Sequence, residues 1–251
     1  MRIHSMLPLL LAPALLAAPK APAKHQPITV TWLGHAAFQV TSAGGTTLLL
    51  DPFLTQDPTT PAEFKDLAQY KPDAILVTHS HGDHVGDTVA IAKASGAPVI
   101  GAAEQIGSLG LPEKQAVGGN VGGTFTIGDI TIHIVPAMHS SEPGGRPIGF
   151  VLTFKDGRSL YHTGDTWIFG DMSLIQELYH PSVILMGMGG GPYTEDPATA
   201  ALAVKKYFHP AVIVPMHYGT FPALANTEQV RKAFKGDKRL VVMKPGETMK
   251  F

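Results

Sequence analysis

The stretch "THSHGDH", Thr78 to His84, sets His79, His81, Asp83 and His84 within one short segment. Crowded imidazoles repel one another when protonated, and when neutral each needs partners for its ring nitrogens. Metal binding answers both demands, because the ligand is the deprotonated ring. On an extended or loop segment His79 and His81, two residues apart, point the same way. Asp83 and His84 lie on the following turn and can face a second point. One loop cannot close two metal shells, so further ligands must come from distant segments. The chain has no cysteine. That leaves histidine and carboxylate as donors and excludes disulfides, thiolate ligands and a cysteine nucleophile.

Three residues stand at comparable positions. His139 in "PAMHSS", Asp165 in "YHTGDT" and His217 in "IVPMHYG" each follow a strand-like run. Singly, each reads as a polar residue ending a strand. Beside the histidine cluster, they read as its missing ligands. His35, after Gly34 in "WLGHAAF", is either a histidine bonded to backbone at a strand end or a group that donates to the leaving group. Tyr218, next to His217, could line a pocket, and His162 is left without a role. Imidazole and carboxylate suit Zn²⁺ first, with Mn²⁺, Fe or Ni²⁺ also compatible. Two such ions about 3.5–4 Å apart lower the pKa of a shared water and polarise an ester or phosphoryl oxygen. A metal-bound hydroxide would then be the nucleophile.

These residues need elements that hold them. "ITVTWLG" and "FQVTS" alternate like strands, and "TTLLLD" is a strand closing on Asp51. "AILVT", a short continuous apolar run, suits a strand buried on both faces and leads into the histidines. "DTVAIAKASG" reads as a helix with glycine as its stop. "APVIGA" is another buried strand. "GTFTIGDITIHIVPA" and "IGFVLTFKDGRSLYHTGD" read as hairpins turning at Gly-Asp and Asp-Gly. Helix and strand then alternate, from "DMSLIQELYH" to a last strand "RLVVMK". Two groups of strands with helices between them predict two sheets packed face to face under outer helices. Asp51, the cluster, Asp165 and His217 all fall at carboxyl ends of strands, where α/β sheets bind ligands.

The chain has 251 residues, 44% hydrophobic and 16% charged, an ordinary globular balance with length enough for a substantial core. Its net charge of -1 gives no basic footprint for nucleic acid and no acidic block for a disordered tail. Residues 1–23 run from a basic start through "LPLLLAPALLAA" to "APA", the order of a secretory signal peptide. The apolar run is too short for a membrane span of roughly 20 residues. The reading is therefore cleavage after Ala23, export to the periplasm or beyond, and a single metallo-hydrolase domain over 24–251 with no stable membrane span. Loss of Arg2 and Lys20 with the leader would take the net charge from -1 to -3.

Seven stretches, "WLGHAAF", "LLLDPFL", "THSHGDH", "PAMHSS", "YHTGDTWIFGDM", "VIVPMHYGTFP" and "KPGE", together resemble the metallo-β-lactamase superfamily of metal-dependent hydrolases. The resemblance runs from about Ile28 to the C-terminus. It is nearest to a branch of small single-domain bacterial proteins similar to ascorbate-6-phosphate lactonases and N-acylphosphatidylethanolamine-hydrolysing phospholipases D. It implies an α/β fold, a four-layer αββα sandwich, with the site at one edge. It implies that His79, His81 and His139 hold one divalent ion, that Asp83, His84 and His217 hold a second, and that Asp165 bridges them. Asp51 would orient the histidine loop without touching metal, and Asp165, His35 and Asp83 would serve catalysis. The implied activity is hydrolysis of an ester-type bond, phosphodiester or lactone, in a small-molecule substrate. β-Lactam hydrolysis and a non-catalytic metal-binding role are the alternatives. A redox di-iron enzyme would need glutamate in place of His81. The loop "GMGGGPYTED" departs from the branch pattern, and its Tyr193 and Glu195, with Tyr218, are the expected pocket residues.

Overall fold

A computed structural model of the protein describes residues 27–141 and 145–251. The expected signal peptide lies outside the described residues. The first sheet contains β1 (Thr29–Gly34), β2 (Ala37–Thr41), β3 (Thr47–Leu50), β4 (Ala74–Leu76), β5 (Val99–Ala102) and β6 (Ala116–Gly119). The second contains β7 (Thr124–Ile127), β8 (Ile130–Pro136), β9 (Ile148–Phe154), β10 (Ser159–His162), β11 (Val183–Gly187) and β12 (Val212–Met216). The C-terminal β13 (Thr248–Lys250) returns to pair antiparallel with β1, giving the orders β13-β1-β2-β3-β4-β5-β6 and β12-β11-β10-β9-β8-β7. Helices α2 (Thr88–Ser95) and α3 (Ala103–Ser108) follow strands of the first sheet. Helices α4 (Met172–Tyr179), α5 (Pro197–Tyr207) and α6 (Thr227–Ala233) belong to the second, and α1 (Gly82–Val85) is a single turn inside the histidine motif.

The alternation of side chains along the strands builds the layers. In β3, Leu48 and Leu50 face the second sheet, whereas Leu49 faces α2 and α3. In β4, Ala74 and Leu76 point inward and Ile75 outward. Ile91, Ala92 and Ile106 cover the outer side of the first sheet. Met172, Ile175, Ala200, Ala203, Val204 and Val230 cover the second. The result is the expected αββα sandwich. Some details differ from the sequence reading. "RLVVMK" is not a strand: it touches β12 only at an isolated Ile213–Leu240 bridge and then leaves the sheet. β3 stops at Leu50, because Asp51 takes a left-handed backbone conformation, φ 42°.

Strand direction brings the chemistry to one edge. β3 and β4 are parallel, as are β10, β11 and β12. β1 runs with β3 because both are antiparallel to β2, and β8 runs with β10 because both are antiparallel to β9. The carboxyl ends of β1, β3, β4, β8, β10 and β12 deliver His35, Asp51, the Thr78–His84 segment, His139, Asp165 and His217 respectively.

Candidate metal centre

Every residue of the proposed ligand set arrives at one place. His79 Nε2 lies 3.0 Å from His81 Nδ1, which lies 3.3 Å from His139 Nε2. His84 Nε2 is 3.3 Å from Asp165 Oδ1, and His217 Nε2 is 3.0 Å from Asp165 Oδ2 and 3.5 Å from Asp83 Oδ2. His139 Nε2 stands 3.6 Å from Asp165 Oδ2, so this carboxylate reaches both halves of the cluster. Metal–ligand bonds of about 2.0–2.1 Å in a tetrahedron put neighbouring donor atoms roughly 3.3 Å apart. The observed separations scatter around that value. His79, His81 and His139 form one convergent group and Asp83, His84 and His217 a second, which His35 also joins. His79, His84 and Asp165 form a third group that links the other two.

The hydrogen bonds decide which ring nitrogen faces inward. Asp51 is fully buried. Its Oδ1 accepts from the Thr78 amide at 2.8 Å, and its Oδ2 accepts from Thr78 Oγ1 and His84 Nδ1, both at 2.7 Å. Thr78 Oγ1 in turn accepts from His79 Nδ1 at 3.0 Å. Both rings therefore turn Nε2 inward, and Asp51 itself contacts no inward-facing donor. Orienting carboxylates of this kind raise ligand basicity and fix the tautomer.

His84 Nε2, His217 Nε2 and Asp165 Oδ1 are buried yet have no aligned hydrogen-bond partner. Buried polar atoms left this way are costly, and metal ions held by the convergent groups would satisfy them. The residues present thus fit a divalent metal site by donor chemistry, spacing and orphaned atoms together.

The electrostatics agree. Burial, with His84 next, holds His79 well below the ordinary histidine range, and burial lowers His139 as well. Burial opposes charge on His84 and His217, but Asp165 overrides it for both, with help from Asp51 at His84 and Asp83 at His217. His84 is raised well above its usual value and His217 to about 9. Burial would raise Asp165, yet His217 and His84 hold it well below the carboxylate range. The pocket is thus one in which negative carboxylates favour cations on the facing nitrogens.

His35 is fully buried. Its Nε2 is 3.0 Å from Asp83 Oδ2 and its Nδ1 2.9 Å from Thr220 Oγ1. Burial, then His217, lowers its pKa to about 4, so the ring is neutral near pH 7. Both nitrogens are engaged, and the ring does not line the cavity above the ligands. In this geometry the ring supports Asp83.

The expected pocket residues divide. Tyr193 is 59% exposed and lines the cavity over the ligands. Glu195 does not: its carboxyl is fully buried, with no partner for either oxygen. Tyr218 is also buried, stacked on Trp32 at 5.6 Å, and faces a separate cavity beside Arg231 and Lys244. His162 bridges the sheets, with Nε2 3.0 Å from the Ala36 carbonyl and Nδ1 accepting from the Gly164 amide at 3.1 Å. Sequence reasoning missed Thr78 and Thr220, which position ligands through hydroxyls. It also missed Ser140, whose Oγ is 3.3 Å from His81 Nε2. Threonines and serines beside the ligands were the available signal. Gly189 has a stricter role: a Cβ there would collide with the His217 carbonyl and lie 2.7 Å from its Nδ1.

Residues 29–217 match the family described as "Beta-lactamase superfamily domain". The chain is 45% identical over 254 aligned positions to a UPF0173 metal-dependent hydrolase of Myxococcus xanthus, covering 94% of this chain and 89% of that one. It is 43% identical over 235 to one of Archaeoglobus fulgidus, covering 88% and 98%. Among solved structures, a metallo hydrolase of the hyperthermophilic archaeon Ignicoccus hospitalis superposes with TM-score 0.79 at 36% identity, covering 90% of this chain and 98% of that one.

Proposed function

The chain belongs to the UPF0173 family of metal-dependent hydrolases, within the metallo-β-lactamase superfamily, and from that premise we propose that it is a binuclear hydrolase of an ester-type bond in a small molecule. The observation that carries this reading is the convergence of seven donors on two adjoining groups, with His84 Nε2, His217 Nε2 and Asp165 Oδ1 buried and unpaired. His79, His81 and His139 would hold one ion, Asp83, His84 and His217 the other, with Asp165 between them. Two divalent ions there, zinc being the best match to the donors, would supply an activated water and a Lewis acid at neutral pH.

The protein's own residues do the rest. Asp51 and Thr78 aim His79 and His84, and His35 fixes Asp83. Asp165, reaching both groups, is the carboxylate placed to hold a proton during turnover. No serine or cysteine nucleophile is required. We take lactones and phosphodiesters as the first bonds to screen, because the seven stretches together resemble a branch similar to lactonases and phospholipases D.

The test is metal analysis of the reconstituted protein with a screen of carboxylic esters, lactones, phosphodiesters and β-lactams. The expectation is two ions per chain and turnover of an ester-type substrate. Fewer than one ion bound and no turnover would overturn the reading, and turnover of β-lactams alone would redirect it. The leader-like residues 1–23 support export to the periplasm or beyond, which fractionation of the full chain against one lacking them would test. No helix among the described residues is long and apolar enough to cross a membrane.

A further inference from the structure

Over the ligand set lies a cavity of about 610 Å³, within the span of roughly 300–1,000 Å³ typical of small-molecule sites. Its floor is His81, Asp83, His139, Asp165 and His217 of the ligand set. Its wall is Tyr193, Phe221, Pro222, Ala223 and Leu224. No lysine or arginine is among the described residues that line it. Glu142, Pro143 and Gly144, which follow the His139 segment, add none by sequence.

The exposed aromatic side chains gather at this end. Trp167, Tyr193 and Phe221 are 55%, 59% and 38% exposed, and Met138 is 55% exposed. Met138 and Trp167 stand next to the ligands His139 and near Asp165 in the chain, and the Trp167 amide donates to the Met138 carbonyl at 2.9 Å. Phe221 packs edge-on against His35 with ring centroids 5.6 Å apart, so the wall is braced on the ligand support. Clustered exposed apolar surface beside a cavity marks a binding surface.

We propose that the non-reacting part of the substrate is an uncharged, apolar arm, the alkyl or aryl chain of a neutral ester or lactone, held on Tyr193, Phe221 and Leu224. This rests on the hydrolase reading of the same site. Ions on the floor would serve the oxygens of the reacting bond. A second negative charge out along the arm would lose water on this wall and find no basic side chain among the described lining residues.

The experiment uses the full chain and two linked series. The first is binding of 2-butanone, 2-hexanone and 2-octanone, which are not hydrolysed, with 7-oxooctanoate as the charged counterpart of the longest. Binding is read by fluorescence of Trp167, the exposed one of two tryptophans, Trp32 being buried. The second is hydrolysis of p-nitrophenyl acetate, butanoate and octanoate by the metal-loaded protein, with mono-p-nitrophenyl suberate as the charged counterpart. The ketones are expected to tighten with length, toward a limit of about fourfold per buried methylene. 7-Oxooctanoate should bind at least about tenfold more weakly than 2-octanone, because its carboxylate is desolvated without a partner.

Ester KM should fall with chain length in the same order. Tyr193→Ser and Phe221→Ser should flatten both series. Leu178→Ser, at an exposed leucine of α4, should leave both slopes unchanged. Ketone binding that is indifferent to length, or 7-oxooctanoate binding as tightly as 2-octanone, would overturn the proposal even if esters are hydrolysed. A sloped ketone series with no ester, lactone or phosphodiester turned over would leave the apolar arm standing and reject the hydrolase reading.

Discussion

Glu195 is the most exacting test of the fold's electrostatics. Its amide donates to the Thr166 carbonyl at 3.3 Å, and its own carbonyl accepts from the Gly190 amide at 2.9 Å. This turns the side chain into the interior, where it is fully buried and neither oxygen has a partner. Burial, then the Asp196 charge, pushes its pKa from 4.5 up to about 8. The folded form therefore holds this proton more tightly than the unfolded chain does. Its contribution is fully favourable below the unfolded pKa and is lost as pH rises toward the folded one. Between those values stability should fall by about 1.4 kcal/mol per pH unit, or roughly 3–4 kcal/mol from pH 5 to pH 8. Glu195→Gln keeps the shape and removes the titration. Its stability relative to the parent should rise with pH along that slope. That corresponds to a Tm advantage growing by about 6–16 °C over the same range. Denaturant or thermal unfolding of both proteins at several pH values, with saturating metal, measures the difference and cancels the histidines common to both. A difference that stays constant from pH 5 to pH 8 would show that Glu195 loses its proton in the folded protein as readily as in the unfolded chain, and that burial does not raise its pKa.

Asp51→Ala should weaken metal binding by about 10–100-fold, measured by competition with a chelating dye, because His84 and Thr78 lose the carboxylate that orients them. His35→Ala should lower affinity at the Asp83 group by a similar factor. A variant with full affinity but impaired leaving-group departure would return His35 to the proton-donor role. Gly189→Ala should destabilise the fold by about 1–3 kcal/mol through overpacking against His217, read as a lowered denaturant midpoint. Chelator treatment should lower the Tm, since ions at 1,000 times their Kd stabilise by about 4 kcal/mol, and re-addition should restore it.

The paired sheets and the ligand set were legible because the signals behind them are local. "AILVT" and "TTLLLD" announce strands buried on both faces, and the histidines and aspartates sit where those strands stop. What escaped was set by the tertiary partner. β13 is a three-residue strand made by pairing with β1, and its "TMK" carries no strand pattern of its own. "RLVVMK" has the pattern but meets β12 at a single bridge, so the hydrogen-bond ladder never forms. Glu195 was read as a pocket residue because, like Tyr193, it lies in the loop "GMGGGPYTED" that departs from the branch pattern. The Thr166–Glu195 backbone bond sends the two side chains to opposite destinations, one to solvent and one to the core. Thr78 and Thr220 lie close to site histidines in the sequence, but their role as positioning groups depends on which ring nitrogen they meet in the fold.

Backbone conformation shows why the site belongs to the sandwich as a whole. His35, Asp51 and His217 have φ of 46°, 42° and 58°, in the left-handed region that side chains with a Cβ enter at a cost of roughly 1–3 kcal/mol each. Glycine would relieve the strain but would delete the imidazole or carboxylate that each position supplies. All three stand where a strand ends and the chain must turn over the sheet edge while its side chain still aims inward. His35 and Asp51 come from the first sheet and His217 from the second. The His217 amide donates to the His35 carbonyl at 3.0 Å, pinning two strained turns to each other across the sandwich. The ligands divide the same way: His79, His81, Asp83 and His84 come with one sheet, His139, Asp165 and His217 with the other. Neither half presents a closed donor set alone. The strain is held by the core packed between the sheets, and the metal geometry is fixed by the same packing.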